Sequence, residues 1–98
     1  MVYLQPRLAT INDVHVLVRH RAEMFAEMGM PRDAHFQTML ANSERWFRAH
    51  VVNGTYVGFL IAPADSPAGI AAGGGLLVLD WPPTHRDAGT SRGYILNV

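Results

Sequence analysis

Ninety-eight residues with 49% apolar and 16% charged side chains describe one small globular domain, too apolar to be disordered and small enough that its stability is modest. Eight arginines, no lysine and eight acidic residues leave no net charge, which excludes the basic face of a nucleic-acid binder and the acidic tail of a polycation binder. The absence of cysteine excludes disulfides, thiolate metal sites and a cysteine nucleophile.

The chain opens with MVYLQPRL, which lacks the apolar stretch of a signal peptide. Within residues 2–8 the weak alternation of Val2 and Leu4 with Tyr3 and Gln5, before Pro6, predicts a short edge strand instead. Thr10 with Asp13 three residues later has the pattern of a capping box, so a helix is expected to start near Ile11. Val14, Leu17, Val18, Phe25 and Met28 recur at three- and four-residue spacing, and Gly29 with Pro31 supplies the stop, giving a first helix over 11–28. A second helix follows Asp33 as N-cap, carries Phe36, Met39, Leu40, Phe47 and Trp46 on its buried side, and is expected over 34–50 before Asn53 and Gly54.

The run TYVGFLIA, residues 55–62, is apolar at both parities, as in a strand covered on both faces. The turn cluster PADSPAG then leads to a second strand over 69–79, which makes a hairpin. This longest near-apolar run is far short of the ~20 residues that cross a bilayer. Neither a membrane nor a nucleic-acid partner is expected, and the cytoplasm is the expected location. DWPPTHRDAGTSR, residues 80–92, reads as a surface loop. A last strand, GYILNV, is expected over 93–98 with no turn residue after it. The order is strand, two helices and three strands, an α+β domain with a largely antiparallel sheet.

The remaining signals are local. The glycines at 69 and 73–75 do not complete a phosphate-binding motif, because no Lys follows and Val78 occupies the third position of a dinucleotide motif. Glycines inside a strand allow a bulge or the close approach of another group. The five histidines show no ligand spacing, and His15 and His20, five apart on one helix, cannot share a metal. No metal is expected. Arg19, Glu23 and Glu27 form a ladder at four-residue spacing, an ordinary helix-surface arrangement. Trp81, before Pro82 and Pro83, sits where a stiff loop can cover the sheet edge or meet a substrate.

The segments RAEMFAEMG, GTYVGFLIA, AAGGGLLVLDWPP and RGYILNV, in this order of elements, resemble the N-terminal half of the GNAT superfamily of acyl-CoA-dependent N-acetyltransferases. The resemblance implies a half-GNAT domain over 1–98, incomplete at its C-terminus. In that family the strand matching RGYILNV continues into a glycine-rich loop and a helix that bind the coenzyme's pyrophosphate, and the chain ends before them. The implied cosubstrate is acetyl-CoA, its pantetheine arm lying along the end of this strand at Asn97 and Val98. The implied acceptor is a small-molecule or protein amine, with Glu23, Glu27 and Trp81 as the residues bordering it. No carboxylate stands on residues 94–97, so no catalytic residue is carried over, and Asn97 is left to orient a water. A non-catalytic half-GNAT module for interaction or self-association is the alternative. In either case the strand edge at 93–98, with Ile95, Leu96 and Val98, is a template for a symmetric homodimer.

Overall fold

The computed structural model describes residues 3–66 and 68–97. The expected ends of the first and last strands, Val2 and Val98, lie outside the described residues.

Strand β1, Leu4–Leu8, leads into the capping box expected at Thr10. The Asp13 carboxylate accepts from the Thr10 amide at 2.8 Å, and the Thr10 hydroxyl accepts from the Asn12 amide at 3.3 Å. The box first closes a tight 3-10 turn, Ile11–Asp13, and α1 runs from there over Val14–Glu27. The α-helix thus starts three residues later than the cap alone suggests, because i→i+3 turns are a common way to tighten a helix entrance. Gly29, at φ 89°, reverses the chain after α1, as a left-handed residue does at a helix end.

Helix α2, Ala34–Asn53, begins where the Asp33 side chain accepts from the Phe36 amide at 3.0 Å. It extends three residues beyond the expected 50. Nothing breaks it until Gly54, whose φ of 80° is open to glycine at no steric cost. Val51 in that extra turn packs against the core.

Strands β2, Tyr56–Pro63, β3, Ala72–Asp80, and β4, Ser91–Leu96, complete an antiparallel sheet in the order β1-β2-β3-β4. β3 starts three residues late, because Gly69 donates to the Ser66 carbonyl at 2.9 Å and keeps the turn going. β4 starts two residues early, at Ser91 opposite Asp80. The Trp81 amide donates to Thr90 at 2.8 Å and carries the pairing into the expected loop.

Both helices lie on one face of the sheet. Val14, Val16 and Leu17 of α1, Phe47 of α2, and Tyr56 and Leu60 of β2 form the core. The alternate β2 residues Val57 and Ile61 are half-buried, and Phe59 is 42% exposed. β2 is therefore covered on one face among the described residues, where its composition suggests two. Across the sheet, Leu8 stands opposite Phe59, and Leu76 opposite Ile95. This gives the open face a run of apolar side chains.

Candidate functional site at the end of β4

β4 stops at Leu96, and Asn97 takes φ 59°, a left-handed conformation that asparagine tolerates better than most residues. The turn aims its side chain back beneath the helices. Its Oδ1 accepts from Arg21 Nη1 of α1 at 2.5 Å, and its Nδ2 donates to the Tyr56 hydroxyl of β2 at 3.2 Å. Three elements distant in sequence are thereby tied to the point where the strand ends.

Tyr56 is 2% exposed. The rings of Trp46 and Phe47 meet it edge-on at 5.6 and 5.1 Å between centroids. Burial pushes its phenol pKa above the ordinary value, against the smaller opposing effects of the Asn97 hydrogen bond and the Arg21 charge. Tyr56 is accordingly a neutral hydroxyl at physiological pH, able to orient Asn97 and unsuited to act as a base.

Beside this network lies a cleft of about 450 Å3, lined by Arg21 of α1, by His35, Thr38, Met39, Asn42, Ser43, Trp46 and Phe47 of α2, and by Leu96 and Asn97. Met39, Trp46, Phe47 and Leu96 make it largely apolar, as ligand clefts are, with a few polar groups set into the wall. Trp46 stacks on the His50 ring with centroids 4.2 Å apart, which fixes the indole at the cleft. A smaller hollow of about 230 Å3 adjoins it and shares His35 and Met39. Among the described residues no group of histidines and carboxylates is arranged to hold a metal ion.

Of the residues singled out from the sequence, Asn97 lies in the cleft, and Val98 falls outside the described residues. Glu23 is exposed on α1 with its carboxylate 4.0 Å from Arg19, and Glu27 is exposed at the end of the same helix. Trp81 is 40% exposed on the β3–β4 connection, with the Arg92 guanidinium 4.2 Å above its ring. None of these three lines the cleft. Arg21 and Tyr56 were the residues sequence reasoning missed. Arg21 stands four residues from both Leu17 and Phe25, inside the apolar stripe of α1, and a charge that interrupts such a stripe is a signal that could have found it.

No protein-family model matches the chain, and no curated protein matches it in sequence. Solved structures do. A GCN5-related N-acetyltransferase from Ralstonia eutropha JMP134 superposes with a TM-score of 0.78 at 32% identity, over 97% of this chain and 60% of its own. A protein described as a predicted acetyltransferase from Clostridium acetobutylicum, solved with acetyl-CoA, has the same TM-score at 23% identity, over 97% of this chain and 58% of its own. The fold is therefore an acyltransferase fold, an open antiparallel sheet with two helices. More specifically, it is half of the fold of the GNAT superfamily, the GCN5-related N-acetyltransferases. The chain spans about three fifths of the length of these solved relatives.

Proposed function

We propose that this chain forms the acceptor-side half of an N-acetyltransferase that moves an acetyl group from acetyl-CoA to an amine in the cytoplasm. The observation that carries the reading is the meeting, at Asn97, of the cleft with the end of β4, an edge strand of the sheet. An edge strand presents unpaired backbone N–H and C=O groups, and these fit the amides of an extended pantetheine arm. Acetyl-CoA supplies the thioester carbonyl that the amine attacks.

The chain's own residues position the acceptor. The apolar wall of Met39, Trp46, Phe47 and Leu96 takes up its body and keeps water from the amine. Asn97, held by Arg21 and Tyr56, offers an oriented amide where the strand ends. The amine nitrogen must attack as the free base. As its bond to the acetyl carbon forms, the carbon–sulfur bond breaks, the thiolate leaves, and the nitrogen gives up a proton. The imidazole of His35, on the cleft wall, is the acceptor for that proton, since among the described residues no Asp or Glu side chain lines the cleft.

Titration of the isotopically labelled chain with acetyl-CoA, followed by amide NMR, tests the reading. Shifts concentrated at residues 91–97 are expected, with an affinity weaker than micromolar, that is, less than about 8 kcal/mol. Saturation without any change along β4 would sink the proposal.

The open sheet face favours a second reading, self-association. Leu4, Leu8 and Ile95 are 60%, 58% and 72% exposed on it, and an apolar face of this kind marks an association surface. In this reading a second copy covers the face in a symmetric dimer.

A further inference from the structure

Arg21 gives the cleft a cationic wall. Among the described residues its guanidinium meets the Asn97 side-chain oxygen at 2.5 Å and the Phe25 ring at 5.0 Å, with no carboxylate within ion-pair distance. The acids that do pair, Asp13, Glu23 and Glu44, go to Arg7, Arg19 and Arg48. Among the described residues no Asp or Glu lines the cleft. Asn97 fixes the guanidinium without neutralising it. A guanidinium has five N–H donors, and the Asn97 bond occupies one of them.

A cation held in a largely apolar cleft pays for lost hydration until an anion meets it. Carboxylates suit arginine best, through two parallel charge-assisted hydrogen bonds. An ammonium without an accompanying anion meets like charge in the same place. We infer that the acceptor of this cleft is an amine that also carries a carboxylate and an apolar body, with Arg21 selecting the carboxylate and Met39, Trp46, Phe47 and Leu96 the body. The inference rests on the acetyltransferase reading only for the role of acceptor, since binding of the acid requires no coenzyme.

The test is calorimetry on the 98-residue chain with probes that share one ring: phenylalanine, phenylalaninamide, 2-phenylethylamine and phenyl phosphate. Phenylalanine is expected to bind at least about tenfold more tightly than the amide and the amine, the loss typical of one hydrogen-bonded charge pair. Arg21→Gln should abolish that preference. Because Arg21→Gln also disturbs the Asn97 network, Thr38→Glu, which places a negative charge on the α2 wall of the cleft, provides a second variant and should weaken phenylalanine selectively. Equal affinities, no binding by any probe, tighter binding of the phosphate, or an unchanged preference in a folded Arg21→Gln chain would each overturn the inference. With acetyl-CoA added, acetylation of 2-phenylethylamine as fast as phenylalanine overturns the inference and leaves the acetyltransferase reading standing. Selective binding of phenylalanine without transfer to any amine supports the inference and counts against that reading.

Discussion

The Tyr56 hydroxyl of β2 lies directly over the α-carbon of Gly75 on β3, so close that a methyl group at position 75 would overlap the phenol ring. Gly75, the last of three consecutive glycines in β3, is therefore the seat of the tyrosine that holds Asn97. Gly75→Ala should destabilise the chain by about 1–3 kcal/mol, the usual cost of overpacking, measured by urea unfolding. In a Tyr56→Leu background, where the side chain no longer reaches position 75, the same substitution should cost clearly less, and a double-mutant cycle reads the difference. Equal costs in both backgrounds would show that the contact does not govern the site.

Asn97 serves through both its backbone and its side chain. Asn97→Gly keeps the left-handed conformation and loses the hydrogen bonds to Arg21 and Tyr56, whereas Asn97→Ala loses the bonds and also strains the backbone by about 1 kcal/mol. Thermal unfolding should rank the wild-type chain above Asn97→Gly, and Asn97→Ala last. Reversal of the two variants would mean that the positive φ at this position is not required.

The ion pair at the start of α1 makes stability depend on acid pH. Asp13 accepts two hydrogen bonds of 2.8 Å from the Arg7 guanidinium and one of 2.8 Å from the Thr10 amide. Chiefly through the Arg7 hydrogen bond, its pKa is held well below the usual carboxylate range. A carboxylate depressed in the fold contributes stability that is complete above its unfolded pKa, about 4, and disappears as pH falls below that value. The difference between the wild-type chain and Asp13→Asn, measured by urea titration, should accordingly be constant from pH 5 upward and shrink toward pH 2. Tyr56 acts in the opposite direction. Its pKa is raised by burial, so its contribution is complete below about pH 10 and is lost as pH rises beyond that. Stability unchanged between pH 5 and pH 2.5 would contradict the Asp13 account.

Self-association through the open sheet face should appear in sedimentation velocity at high micromolar concentration. Ile95, 72% exposed on that face, is the residue to change. Ile95→Lys should shift the population toward monomer while leaving monomer stability within about 0.5 kcal/mol, as for most surface substitutions. Leu96, its neighbour, turns the other way, into the cleft and against the core, so Leu96→Lys would mix loss of folding with loss of association. A folded wild-type chain that sediments as a monomer would remove the second reading.

Much of the fold was legible in the sequence because its signals are local. The Thr10–Asp13 box, the Asp33 cap, the stops at Gly29 and Gly54 and the apolar spacing of both helices act within about four residues, the reach of a helical turn. They determine the two helices, and the run TYVGFLIA with the turn cluster PADSPAG marks the hairpin that follows. Register and facing depend instead on which distant groups meet. Pairing of Asp80 with Ser91, and of Trp81 with Thr90, carries β4 two residues into a stretch whose prolines and polar residues read as loop. The same pairing places Leu96 under the helices and Ile95 in the open. The site was least legible of all. Arg21, Tyr56 and Asn97 are separated by up to 76 positions along the chain, and only the packing of α1 and α2 on one face of the sheet brings a guanidinium, a phenol and an amide to the end of one strand.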